Sequence, residues 1–139
     1  MRVINEVVLA VAQRLRQVFP DVPVYTEDVK QGLEKPCFCV SCAKPVMRRY
    51  RGERWHCRLP VKVYCFPGTD GQNAELGGVF AQLFHALELI DCGGALRGSN
   101  MQASRSDGVG VFQADYSCFV RWEEKAEQED GMMLELKLI

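Results

Sequence analysis

Apolar side chains recur along Gln72–Asp91 (QNAELGGVFAQLFHALELID) at steps of three and four residues: Leu76, Val79, Phe80, Leu83, Phe84, Leu87 and Ile90. That spacing gathers them on one side of an α-helix, with Gln72, Glu75, Gln82, His85 and Glu88 mostly on the other. Asn73 supplies a cap at the start, and Gly93-Gly94 a left-handed stop at the end. A stripe this wide needs a sheet to lie on, which makes this the expected central helix. An earlier amphipathic helix spans Val3–Phe19, with Ile4, Val7, Val8, Val11, Leu15 and Val18 on one face. Pro20 and Pro23 end it.

Alternation takes over elsewhere. In Arg54–Phe66, Trp55, Cys57, Leu59, Val61, Val63 and Cys65 alternate with Arg54, His56, Arg58, Pro60, Lys62 and Tyr64, giving a strand with one core face. Pro60 argues for an edge position or a bulge. In Val109–Trp122, Phe112, Ala114, Tyr116, Cys118, Val120 and Trp122 face one way, and Gln113, Asp115, Ser117 and Arg121 the other. Val24–Thr26 reads as a short edge strand and CFCVSCA, opened by Pro36, as another strand. Glu27–Lys35 is a polar connection with room for one helical turn ended by Gly32. Lys44–Glu53 is a basic loop or hairpin tip, and 67–71 a turn into the central helix. Ala95–Arg105 is a polar strand closed by the turn Ser106-Asp107-Gly108. Glu123–Gly131 is an acidic linker, and Met132–Ile139 a final strand or tail. The order α-β-β-β-α-β-β describes an α+β fold, a mainly antiparallel sheet with two helices packed on one face.

Length and composition add boundaries. With 139 residues, 47% of them apolar and 25% charged, residues 1–139 fit one globular domain, with 123–139 as a flexible or swapped C-terminal segment. A net charge of −1 gives no global pull toward nucleic acid or an acidic membrane. No apolar run approaches the ~18–20 residues that span a bilayer. Asn5, Glu6, Gln13 and Arg14 interrupt the N-terminal apolar positions, unlike a signal peptide. The cysteines at 37, 39, 42, 57, 65, 92 and 118 are odd in number, and a chain able to build a core needs no disulfide framework. They read as small buried hydrophobes.

Candidate chemistry is thin. Cys37-x-Cys39-x2-Cys42, with His56 and Cys57 downstream, has soft ligands for zinc, yet Cys37 and Cys39 share one strand face while Cys42 points to the other. Nothing ties His56 or His85 to a particular thiol and an orienting group. Gly68-x2-Gly71 and Gly108-x-Gly110 match no phosphate-binding pattern and are turn glycines. Catalytic, cofactor and metal residues are therefore expected to be absent.

Charge segregation is what rises above background. Lys44–Lys62 carries seven cations against Glu53, net +6; Asp115–Glu135 carries seven acids against Arg121 and Lys125, net −5. Such runs are often only solvated faces. The sharper reading pairs Arg48, Arg49, Arg51, Arg54 and Arg58 of one copy with Glu123, Glu124 and Glu127 of the next, a head-to-tail contact that can close a ring. The rival is a small nucleic-acid-binding module using the basic hairpin 44–62, with Tyr50 and Trp55 stacking on bases.

The opening helix NEVVLAVAQRLRQVF and the segments VYTEDVKQGLEKPCF, RYRGERWHCRLPVKVYCFP, LFHALELI and LRGSNMQASRSDGVGVFQADYSCFV together resemble the tail terminator family of long-tailed phages and prophages of Gram-positive bacteria. The order of segments carries the likeness, over about Ile4–Val120. The resemblance implies a structural virion protein, not an enzyme, with no cofactor. It implies a homo-hexameric ring, or a monomer until it meets the tube, that caps the tail tube, stops its polymerisation and provides the head-joining surface. The implied partners are further copies of itself, the tail tube protein and a head-completion or connector protein, with no membrane and no specific nucleic acid. Its implied places are the virion tail and, during assembly, the host bacterial cytoplasm.

Overall fold

The computed structural model describes residues 2–26, 34–68, 73–122 and 132–135, with Arg2, Asn73, Ala74, Trp122 and 132–135 described by backbone alone. The expected helical turn near Gly32 and the side-chain cap by Asn73 lie outside this set, as do the acidic linker and the chain end. The elements run α1 (Arg2–Val18), β1 (Val24–Tyr25), β2 (Cys37–Cys42), β3 (Val46–Arg51), β4 (Arg54–Phe66), α2 (Asn73–Ala86), β5 (Leu89–Asp91), β6 (Ala95–Ser106), β7 (Val109–Trp122) and β8 (Met132–Glu135). This is the α+β class that the alternating and helical periods predict.

The strands form one sheet in the order β1-β2-β4-β7-β6-β5, with β3 pairing β4 and β8 pairing β7. Only β1 and β2 run parallel among the described pairs. The two long alternating strands are direct neighbours, and Cys57, Leu59, Val61 and Val63 face Cys118, Tyr116, Ala114 and Phe112. These side chains are buried with Val7, Val11 and Leu15 of α1 and Leu76 and Leu83 of α2 in one core, so both helices cover the same face. The β6–β7 hairpin closes through Asp107 and Gly108, whose φ angles of 52° and 76° define the two-residue turn that matches strand twist.

Four expectations are corrected or narrowed. The central helix does not run to Asp91: α2 ends at Ala86, and Leu89–Asp91 is the separate strand β5. Tertiary hydrogen bonds take the end of the helix. The Tyr116 hydroxyl donates to Leu87 O at 2.6 Å, Arg14 Nε to Ala86 O at 3.1 Å, and the Gly98 amide to Glu88 O at 2.7 Å. Gly93-Gly94 accordingly turns β5 into β6. Second, Phe84, placed by its spacing in the buried stripe of the central helix, is exposed, whereas Ala10 and Ala12 of α1 join the large apolar residues in the core. Third, of the loop or hairpin tip expected over Lys44–Glu53 the hairpin is what forms, with Val46–Arg51 as strand β3. Fourth, Pro60 sits in an interior strand. β3 pairs with Arg54–Arg58 and β2 with Val61–Phe66, so Pro60 falls in the gap between the two neighbours, where no ladder donor is needed.

Candidate functional site

The basic residues converge on one hairpin, β3–β4, turned through Gly52 at φ 58°. Strand register sets their neighbours. Arg48 lies opposite His56, Val46 opposite Arg58, and Arg51 opposite Arg54; across β4, Arg54 lies opposite Arg121. Arg51, Arg54 and Arg121 thus form a row of like charges at facing positions, an arrangement that raises the energy of an isolated sheet. Aromatic rings support it. The Arg54 guanidinium lies 4.7 Å over Phe119 and 5.7 Å from Tyr50, and Tyr50 and His56 each meet Phe119 edge-on at 5.2 Å. Arg49 goes to the helix-covered face, 5.8 Å over Trp55, with its Nε donating to Gly52 O at 3.2 Å. So Arg48, Arg54 and Arg58 share the uncovered face, and Arg49 leaves it. Arg121 and Phe119 belong to the cluster although the sequence places Arg121 among acids; only the β4–β7 register reveals it.

The opposite flank of the sheet has another character. β6 and β8 both pair with β7 on the side away from β4, β6 with Val109–Tyr116 and β8 with Phe119–Trp122. The chain leaves β7 at Trp122, one residue past the Arg121 that faces Arg54, and returns as β8 from Met132 on the side away from β4. Glu123, Glu124 and Glu127 lie outside the described residues. The exposed Glu88 there bonds to Arg97 at 2.8 Å, a surface pair worth little. Asp115, expected to be wet, is buried: Asn100 Nδ2 donates to its Oδ2 at 3.0 Å where β6 bulges, while Oδ1 is enclosed with no hydrogen-bond partner. Nothing in the alternation of β7 signals this, because the bulge and the left-handed Asn100 (φ 49°) create the enclosure.

The thiols are arranged as packing groups. Cys57 and Cys118 face each other across β4 and β7 inside the core. The hydrogen bond between them, then burial, holds the Cys118 proton far above the usual thiol range. Burial, then the nearby Cys37, pushes Cys65 up to about 12. Burial also raises Cys37, Cys42 and Cys92. A thiol that keeps its proton is a poor nucleophile and a poor ligand. Cys37 and Cys39 lie opposite Phe66 and Tyr64, and Cys42 opposite Val61 on the other face, as the strand period requires. Among the described residues, no three His, Cys, Asp or Glu side chains gather in metal-binding geometry. His56 packs on Phe119, and His85 is exposed on α2. No described helix is long and apolar enough to cross a membrane.

A helix-backed, mainly antiparallel sheet whose distinctive feature is a clustered basic hairpin defines a small α+β protein built around surfaces. Residues 6–129 match the family model of the phage tail terminator protein, and the chain belongs to that family. It is thus a structural protein of the phage tail, from a family that is not enzymatic. One solved structure aligns over 99% of this chain and 95% of its own length, at 18% identity and a TM-score of 0.42. No curated protein matches the chain.

Proposed function

We propose that the protein assembles head to tail into a ring on the end of the tail tube, where it stops polymerisation and presents the surface that joins the head. Family membership supports the place of action. The observation that carries the ring is the segregation of charge along the chain: the cations gather on the β3–β4 hairpin, and the acids of 123–130 fall in the connection between β7 and β8. A copy rotated about the ring axis sets one against the other. The cations of the hairpin then face the acids of the next copy. Six copies, the tail tube protein and a head-completion or connector protein are the expected partners.

Sedimentation velocity at low and high salt, alone and with purified tail tubes, tests this reading. Rings at tube ends, lost on Arg48→Glu/Arg51→Glu, support it. Monomers in every condition and bare tube ends overturn it. Salt-sensitive duplex binding that disappears with the same two changes would instead favour the nucleic-acid module, for which the exposed Arg48, Tyr50, Arg51 and Arg58 are the surface.

A further inference from the structure

We infer that the sheet itself continues from copy to copy, the open edge of β3 in one subunit adding to the open edge of β5 in the next. The inference rests on the ring reading and names the surfaces that make it. β5 ends its flank of the sheet among the described residues. The Gly98 amide donates to Glu88 O at 2.7 Å and the Cys92 amide to Gly94 O at 2.9 Å, with Ile90 opposite Leu96 between them. In an antiparallel ladder, residues bonding inward alternate with residues bonding outward. Positions 88, 90 and 92 bond toward β6, so the N–H and C=O groups of Leu89 and Asp91 point away from the sheet. They border two adjoining hollows of ≈ 380 and 410 Å³, whose far wall is α1, with Leu9, Gln13 and Arg14. An extended segment fits there as the next strand, with hydrogen bonds on one side and a helix surface beneath it.

The occupant is argued from exposure and charge. Five large apolar side chains are exposed among the described residues, and four stand at these two places. Val46 (39%) and Tyr50 (63%) are on β3; Leu9 (53%) and Leu89 (47%) are at the groove. The six residues of β3 pair only with β4 among the described strands, and they carry Arg48, Arg49 and Arg51. The groove is lined by Glu6 and Asp91 against the single cation Arg14, whose Nε donates to Ala86 O, so acids outnumber bases there. An edge with apolar and cationic side chains meets an edge with apolar and anionic ones. Because the two edges differ, the contact is heterologous and repeats around a ring.

Hydrogen exchange of the full chain, free and assembled (alone or on tail tubes), tests the inference. The Leu89 and Asp91 amides should exchange at least about tenfold more slowly once assembled, since each gains a hydrogen bond across the interface. Leu89→Pro deletes only an outward donor and should fold with β6 intact yet lose the oligomer. Leu89→Lys, which keeps the donor and changes an exposed side chain, should weaken assembly and provides the second variant. Assembly with fast-exchanging Leu89 and Asp91 amides, and with Leu89→Pro assembling like wild type, overturns this inference and leaves the ring reading standing. A chain monomeric in all conditions overturns both. Protection that arises on tubes while mass measurements show a single copy assigns the groove to the tube protein and overturns the sister-copy assignment.

Discussion

Tyr116→Phe removes one oxygen and tests the account of where α2 ends. Tyr116 is fully buried, its hydroxyl donates to Leu87 O at 2.6 Å, and burial raises its pKa. Phenylalanine fills the same ring space, so no sizeable cavity opens. What remains is a carbonyl that has lost its donor in a dry corner. Losing a typical hydrogen bond costs about 1 kcal/mol, and leaving a buried partner unsatisfied raises this to about 1–3 kcal/mol. With a urea m-value of about 1–3 kcal/mol/M for a small protein, the midpoint should fall by roughly 1 M. The effect should also be local. The Gly98 amide bonds to Glu88 O, one residue beyond the orphaned carbonyl, and should exchange faster than in wild type. A midpoint within about 0.2 M of wild type, with unchanged exchange at Gly98, would show that the Tyr116–Leu87 bond does not hold the helix-to-strand corner.

Gly98→Ala should damage the same corner from the other side, because an added Cβ would sit 2.9 Å from Leu87 O and 3.3 Å from the Tyr116 ring. Urea melts should show a loss of about 1–3 kcal/mol, and combination with Tyr116→Phe should cost less than the two changes summed. Gly108→Ala, in the β6–β7 turn at φ 76° with open space around it, should cost about 1–2 kcal/mol through backbone strain alone. Thermal melts and an unchanged oligomer profile check that. Alkali should destabilise the protein: Cys65 is held at about 12 by burial, against 9.0 for an ordinary thiol. Its raised pKa gives stability that is complete below pH 9 and is lost as pH rises toward 12, at up to about 1.4 kcal/mol per pH unit. Stability of Cys65→Ala, lower at neutral pH, should fall less steeply over that window.

The long elements were legible because each one alone decides its own face. Val61 and Val63 alternate with Lys62 and Tyr64 whatever strand lies beside them, and Val7, Val11 and Leu15 share a helix face from their spacing alone. The edges were not. β5 continues a helical period through Leu87 and Ile90, both buried as that period predicts, but the backbone from Ala86 to Glu88 is diverted by donors from Arg14, Tyr116 and Gly98, 10 to 72 positions away in the chain. β3 shows no alternation because its side chains are mostly exposed on both faces, so periodicity had nothing to register. Of the candidate site, the five arginines lie close together in the sequence, yet the division of Arg49 from Arg54 depends on the register of β3 with β4, and the inclusion of Arg121 on that of β4 with β7.

Edge strands explain why assembly chemistry is the least legible part of such a chain. An unpaired edge invites indiscriminate pairing, and proteins guard it with charge or by keeping it short. Both guards are present here: β3 carries three arginines, and β5 is three residues long. Neither guard is complete, since each edge also leaves apolar side chains in water. In the proposed contact, charge on β3 disfavours a second β3 at the same edge and favours a groove bearing Asp91 and Glu6. The same residues therefore act against one arrangement and for another. On that proposal the selectivity belongs to two copies taken together, and a single sequence displays only half of each contact.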